Sequence, residues 1–366
     1  MERCVAYIDL NKLLNNYNTL ESIGSSSYKV MSVVKANAYG HGSVEVSKHL
    51  ENHGCQHFGV ACLEEALELR NNGIKSMILV FGRSDPSDAE KLSMNNITQT
   101  VESIDYAIKL NESGLPINIH INIDSGMSRI GFYCHREENI DSVASQIEQI
   151  SKMNNLNITG IYTHFEGAEK EDSSHTLHQF NVYMSLIKEL EKRKVNVGIR
   201  HVCNSSATIK FPEMHLDMVR CGIAIYGYPP VETNLKFEPV MTLASKIISM
   251  RNVVPGDSIS YGAKYVADKN MTIATVSIGY ADGYPRALSN NDFVLLNKAE
   301  LPVVGTICMD AIMIDTTNAY AKIDDEIILF GNDKSVEILS KKIGTISYEI
   351  LCNVGKRAKR IYKKTS

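Results

Sequence analysis

Between residues 29 and 220, short β-branched runs alternate with amphipathic stretches, and this rhythm constrains the fold more than any other feature of the chain. The runs at 29–34, 57–61, 76–81, 97–101, 117–123, 158–163, 199–203 and 217–220 read as strands. Stretches near 43–53, 62–72, 86–94, 102–113, 137–153, 173–193 and 205–210 carry helical spacing. Eight strands alternating with helices over this length is what a (β/α)8 TIM barrel requires. A doubly wound open sheet is the alternative, but no G-x-G-x-x-G follows an early strand.

The texture changes after Tyr228-Pro229-Pro230. From Leu235 to Gly331 the segments are short and separated by turn signals such as Pro255-Gly256-Asp257 and Asn290-Asn291-Asp292, which suits a small β-barrel or sandwich. A helical stretch over about Val336–Leu351 and a basic tail, Lys356 to Lys364, close the chain; the tail reads as a solvated terminal segment. Two domains are expected from 366 residues: an α/β barrel over 1–230 and a mostly β domain over 231–366. The first ten residues, strand-like up to a helical run at Asn11–Leu20, could pack with the second domain.

A net charge of -4 gives no global attraction to nucleic acid or to an anionic membrane. The eight cysteines lie scattered without C-x-x-C or any metal spacing, so reduced thiols, a cytoplasmic setting and no metal site are expected. His49, His53 and His57 resemble a helical ladder, but Gly54 interrupts it, and they read as surface histidines. No signal peptide opens the sequence, and no apolar run approaches the ~18 residues of a membrane span.

Chemistry enters at Val33-Val34-Lys35-Ala36-Asn37-Ala38-Tyr39-Gly40-His41-Gly42. A lysine at the carboxyl end of a buried strand is costly as an ammonium ion and better placed with a neutral amine, or condensed with a carbonyl. Asn37, Gly40 and Gly42 supply turn chemistry before the next helix. This segment resembles the pyridoxal-phosphate attachment motif of the alanine racemase family. The resemblance implies that Lys35 attaches the cofactor and that Tyr39 contacts its phosphate.

Further matches follow at the ends of later strands: Arg129 in Asp124-Ser-Gly-Met-Ser-Arg129-Ile-Gly131, His164 in Tyr162-Thr-His164-Phe165, Asn204-Ser205-Ser206, and Met218-Val-Arg220-Cys-Gly222-Ile223. By resemblance, Ser205 with the N–H groups of Gly222 and Ile223 holds the phosphate beside Asn204. Arg220 binds the pyridine nitrogen with His164 behind it, and Arg129 holds a substrate carboxylate or the cofactor phenolate. A guanidinium is effectively never deprotonated, so Arg220 limits delocalisation of a carbanion and favours removal and return of the α-proton.

In the second domain, Ser260-Tyr261-Gly262 matches the family's catalytic tyrosine. Cys308-Met309-Asp310 matches a segment that binds the substrate carboxylate, and Tyr280 matches a residue near the entrance. The resemblance implies two opposed bases, Lys35 and Tyr261, with Tyr261 given by the partner of a homodimer acting on a small amino acid. Such an enzyme interconverts L- and D-alanine for peptidoglycan. A fold-related amino-acid decarboxylase would place an acid at the ring nitrogen rather than Arg220. A non-catalytic cofactor carrier would have no use for Tyr261 or Met309.

Two positions depart from the family pattern. Asn122 stands where many racemases carry a carbamylated lysine that steadies the arginine, and Lys356 stands where some carry a phosphate-contacting tyrosine. The second change widens the pocket on the sequence reading and keeps serine open as a substrate. An amide forms no carbamate, so a small anion or water is expected at Arg129. Protein equilibrated with labelled bicarbonate should give no carbamate carbon signal from residue 122; such a signal would refute the assignment.

Overall fold

The computed structural model describes residues 3–24 and 27–364. Eight parallel strands follow one another round the first sheet: Met218–Cys221, Lys29–Val33, His57–Val60, Met77–Val80, Thr98–Val101, Ile117–Asp124, Leu156–Thr163 and Ile199–His201. The remaining seam is bridged by two backbone bonds, Asp217 N–H to the Arg200 carbonyl at 3.2 Å and Arg220 N–H to the Cys203 carbonyl at 2.9 Å. The expected barrel is present, each strand within a residue or two of its sequence reading. Helices cover the outside, the longest being Ser174–Lys192.

The barrel interior is unusual in being partly polar. Met31, Leu79, Tyr162 and Met218 form an apolar cluster. Beside it, Gln99, Thr100, His120, His201 and Arg220 are all buried. Buried polar groups persist when they find one another, and Thr100 Oγ1 meets Tyr162 Oη at 3.1 Å while Tyr162 stacks on His201 at 4.8 Å.

A second sheet of eight strands gathers the chain's two ends. Cys4–Asp9 runs antiparallel to Met241–Val253 and parallel to Lys359–Lys363, so the first described residues and the last are adjacent. Met241–Val253 is 13 residues long, against the short segments expected there, because it bridges two halves of the sheet. It pairs with Glu326–Phe330 on one side, and past an irregularity at Ile247/Ser249 it pairs with Met271–Val276.

Three sequence expectations are corrected. The basic tail is not a solvated end: Lys359–Lys363 is a strand, although Thr365 and Ser366 lie outside the described residues. His49 and His57 are buried, His57 in a barrel strand where desolvation and Lys29 push its pKa to about 4. The final helical stretch is two helices, Val336–Ile343 and Ser347–Cys352, parted by Gly344 at φ 70°.

The second domain also buries an ion cluster. Asp292 accepts from Lys334 Nζ at 2.7 Å, Lys342 Nζ at 2.9 Å and the Tyr284 hydroxyl. Lys334 is fully buried, and desolvation lowers its pKa from 10.5 to about 8. Removing the anion strands a buried ammonium, so Asp292→Ala should lower unfolding free energy by about 3–5 kcal/mol at neutral pH. Above about 8 the folded amine sheds its proton while the unfolded one holds it to 10.5, so stability rises with pH across that window. Without Asp292 the folded amine titrates lower still, so the Asp292→Ala deficit, followed by urea unfolding, should shrink as pH rises to about 8 and level off above it, where both proteins gain stability together.

Candidate active site

The carboxyl ends of the barrel strands surround a cavity of about 690 Å³. Lys35, Tyr39, Asn122, Arg129, His164, Asn204, Ser205, Arg220, Gly222 and Ile223 all line it. Every barrel residue singled out from sequence thus meets at one mouth. Tyr348 and Cys352, from helix Ser347–Cys352 of the second domain, complete the wall; the sequence reading placed helix here and assigned neither residue a role.

Lys35 opens a turn that sequence patterns did not reveal. Ala36, Asn37, Ala38 and Tyr39 all have φ between 51° and 55°, a left-handed turn made of four non-glycine residues. Each such residue costs about 1–2 kcal/mol, so the turn must be held from outside. Ala36 N–H donates to Glu65 Oε1 at 2.7 Å, and Asn37 Oδ1 accepts from Ser43 N–H at 2.9 Å. His41 Nδ1 lies 3.0 Å from both the Ala38 and Tyr39 carbonyls, while its ring stacks on Tyr226. The turn delivers the Lys35 amine into the cavity, where burial first and the Arg129 charge second push its pKa down. A neutral amine able to attack a carbonyl is thereby favoured.

Opposite lies a cradle. A Cβ added to Gly222 would stand 2.5 Å from the Tyr39 hydroxyl, so only glycine admits that ring against the strand end. Gly222 N–H donates to Ser205 Oγ at 3.0 Å, which leaves the serine's own proton to give. Asn204 caps helix Ser205–Lys210 by accepting from Ala207 N–H at 3.0 Å. Two hydroxyls beside a side-chain-free backbone suit a phosphate group, and the residues present fit pyridoxal phosphate.

Arg220 is anchored more firmly than the sequence reading supposed. Its Nη1 donates to the His201 carbonyl at 2.8 Å and meets His201 Nδ1 at 2.9 Å. Its Nη2 donates to the carbonyls of Thr163 and Val202 at 2.7 and 3.0 Å, and His164 Nδ1 lies farther off at 3.3 Å. His201, not His164, is the closer histidine. It escaped sequence reasoning because one histidine in a strand carries no pattern. Since a guanidinium only donates, His201 Nδ1 accepts, and His201 Nε2–H passes on to His120 Nδ1 at 2.9 Å. Burial and the Arg220 charge drive His201 well below the ordinary imidazole range and His120 to about 3, so both stay neutral.

Arg129 is exposed on its loop, with no ion-pair partner among the described residues. Asp124 builds that loop: Oδ1 accepts from the N–H groups of Gly126, Met127 and Ser128 and meets His135 Nε2 at 3.0 Å. Asn122 Nδ2 donates to the Ile130 carbonyl at 2.9 Å, so it braces the backbone beside Arg129 rather than the guanidinium. Lys356 is exposed and does not line the cavity.

Tyr261, Met309 and Asp310 are not in this cavity. Thr306 Oγ1 donates to the Tyr261 carbonyl at 2.9 Å, joining the Tyr261 segment to the 306–310 segment. Tyr261 and Met309 are 70% and 52% exposed, and Tyr280 beside them is 42% exposed. Asp310 is paired with Arg357 at 2.6 Å. One chain therefore carries a lysine-bearing cavity and, separately, an exposed patch holding the tyrosine.

A barrel with a half-buried lysine in its cavity and a cradle suited to a phosphate, walled partly by a β-rich second domain, has the form of a two-domain barrel enzyme. The chain belongs to the alanine racemase family, and it is an amino-acid racemase: models of the family's N-terminal and C-terminal domains match residues 8–230 and 240–362. It is 40% identical to alanine racemase of Clostridium tetani, over 98% of this chain and 94% of that protein. The Methanococcus maripaludis alanine racemase is likewise 40% identical, over 98% of both. The solved alanine racemase of Clostridium difficile 630 superposes with a TM-score of 0.93 at 39% identity, covering 99% of this chain and 96% of that one. The Bacillus anthracis enzyme with bound L-Ala-P gives 0.92 at 32%, covering 100% and 96%.

Because the Arg129 charge helps depress the Lys35 pKa, Arg129→Ala should raise it. The pH profile for labelling Lys35 with an amine-reactive reagent, read by mass spectrometry on cofactor-free protein, should move to higher pH. An unmoved profile would mean that burial alone sets the amine.

Proposed function

We propose that the protein interconverts L- and D-alanine with pyridoxal 5'-phosphate, using Lys35 and Tyr261 as opposed bases. The observation that carries the reading is the convergence of Lys35, Tyr39, Ser205, Arg220 and Gly222 on one cavity. The relatives are alanine racemases, among them the Clostridium difficile enzyme solved in complex with cycloserine, and this supports alanine as substrate. We further assign residues 1–230 to the cofactor domain and 231–366 to the domain serving the partner site, a cytoplasmic setting, and a product destined for peptidoglycan.

Tyr39 and Ser205 hold the cofactor phosphate, and Arg220 keeps a permanent donor at the ring nitrogen. Pyridoxal phosphate supplies, when bound, the electron sink that makes the α-proton of an amino acid removable. Arg129 holds the substrate carboxylate or phenolate oxygen through its fork of N–H donors. Lys35 Nζ takes or returns the proton on one face of the α-carbon. The other face falls to the partner subunit's Tyr261, since this chain's own tyrosine is absent from its cavity. A tyrosine near pKa 10 needs cationic surroundings to act as a base, and the free guanidinium of Arg129 offers one. A homodimer with two shared sites follows from that division, and Met309 and Asp310 would enter beside the tyrosine.

Serine is the second reading. It is favoured by the position of Lys356, which leaves the wall to Tyr348 and Cys352. A pocket not built for a hydroxyl discriminates by only ~1–3 kcal/mol, so the two substrates would overlap.

Purified protein supplied with pyridoxal phosphate and L-alanine, or L-serine, should yield the D-enantiomer by chiral chromatography. Carbon dioxide release would indicate a decarboxylase, and bound cofactor without turnover a carrier. Tyr261→Phe should lower turnover by about 10²–10⁴. Lys35→Ala and Tyr261→Phe chains, each inactive alone, should regain about a quarter of native activity when mixed as statistical dimers. Failure to complement would rule out the shared site.

A further inference from the structure

The left-handed turn that carries Lys35 and Tyr39 is gripped from the far end of the chain. Gly40 ends the turn, and its carbonyl accepts from Arg360 twice, from Nη2 at 2.9 Å and Nε at 3.1 Å. The same guanidinium donates to the carbonyls of Val354, Gly355 and Ala358. One side chain thus ties the end of the cofactor turn to the loop that follows helix Ser347–Cys352. Its base is firm, because Arg360 sits in strand Lys359–Lys363, opposite Ala6 in parallel pairing with Cys4–Asp9.

The neighbouring contacts are just as close. A Cβ on Gly40 would stand 2.2 Å from the Leu351 carbonyl oxygen, and one on Gly42 1.9 Å from the Tyr362 hydroxyl. The carbonyls of the turn are all engaged: Ala36 by Gly40 N–H at 3.0 Å, Asn37 by Gly42 N–H at 2.9 Å, Ala38 and Tyr39 by His41, and Gly40 by Arg360. Four of these acceptors find donors within the turn itself. The last finds its donor some 320 residues away. A neutral donor could satisfy that oxygen, but only a guanidinium fork spans it and three further carbonyls at once.

We propose that Arg360 is a positioning residue for the cofactor site: it holds the strained Lys35–Tyr39 turn in place and makes the C-terminal strand part of the machinery that retains pyridoxal phosphate. The inference rests on the reading of the cavity as a pyridoxal-phosphate site. Arg360 touches neither cofactor nor substrate. Its effect passes through the Gly40 carbonyl to the backbone that aims Tyr39 at Gly222 and Lys35 at the cavity.

The test compares Arg360→Leu, Arg360→Lys and, as a control on the same strand, Lys363→Ala, whose ammonium packs over the Tyr7 ring and does not reach the turn. Two readouts are taken on the full-length holoenzyme: the rate at which pyridoxal phosphate is lost on dilution, followed by visible absorbance, and amide hydrogen exchange in a peptide spanning residues 36–43. Loss of charge-assisted bonds to the turn predicts cofactor release faster by about tenfold or more in Arg360→Leu. Exchange at Gly40, His41 and Gly42 should quicken with it, Arg360→Lys should fall between, and Lys363→Ala should match the native chain. If Arg360→Leu does not fold, Arg360→Lys decides. Unchanged release and exchange in the Arg360 variants, or equal losses in Lys363→Ala, would overturn the proposal. If the native chain holds no cofactor, the cofactor reading fails by itself, and slow exchange in the turn that quickens in Arg360→Lys still identifies the clamp.

Discussion

Four consecutive non-glycine residues in the left-handed region form the constraint around which the molecule is arranged. An isolated peptide would not adopt this turn, because each residue sets its Cβ against the following carbonyl. What tips the balance is the completeness of its surroundings. Glu65 receives the Ala36 N–H, Tyr226 stacks on His41 and packs at a tilt against Tyr39, and the second domain closes over Gly40. The strain is local, while the groups that offset it come from distant parts of the chain. That arrangement is typical of functional sites, where backbone strain survives only if the rest of the fold over-determines it.

The electrostatics of the cavity follow the same logic. Lys35, Arg129 and Arg220 line it, and among the described residues no carboxylate does. Burial is the larger cause of the depressed Lys35 pKa, and repulsion from the Arg129 guanidinium adds to it. A dianionic phosphate and a substrate carboxylate would relieve that repulsion, so the cavity is destabilised when empty of anions and selective for them when they arrive. Behind it, Arg220 is fixed by backbone carbonyls and a neutral histidine pair rather than by an acid. Its charge is therefore left uncompensated within the protein and directed towards whatever the cavity holds.

Much of this was legible in the sequence. Strand rhythm located the barrel and set Lys35 apart at a strand end, while the family resemblance supplied His164, Ser205 and Arg220, which also fall at strand ends and so meet on one face. The handedness of the Lys35 turn was not legible: Asn37 and the glycines signal a turn, but Ala36, Ala38 and Tyr39 do not signal left-handed backbone. His201 and His120 were missed because single histidines in strands look like any other interior residue. The roles of Tyr348, Cys352 and Arg360 were missed for a different reason. They lie more than 300 positions from Lys35, and the contact arises only when the last strand docks beside the first. Periodicity reads elements; it does not read which distant elements meet.

The exposed tyrosine carries the remaining argument. On its own chain the Tyr261 phenol is 70% open to water and lies outside the cavity that holds Lys35. Its segment is nevertheless held in a definite shape: Ser260 has φ 67°, and Thr306 bonds the Tyr261 carbonyl. Such ordering has little value on a free surface. It has value if a second chain covers the patch and brings its own Lys35, Arg129 and Arg220 to it, because water is then expelled and cations approach the phenol together. The two-base reading thus makes dimerisation a requirement of the proton transfer itself. On that reading a monomer would lack the partner's cations around Tyr261, however complete its own cavity.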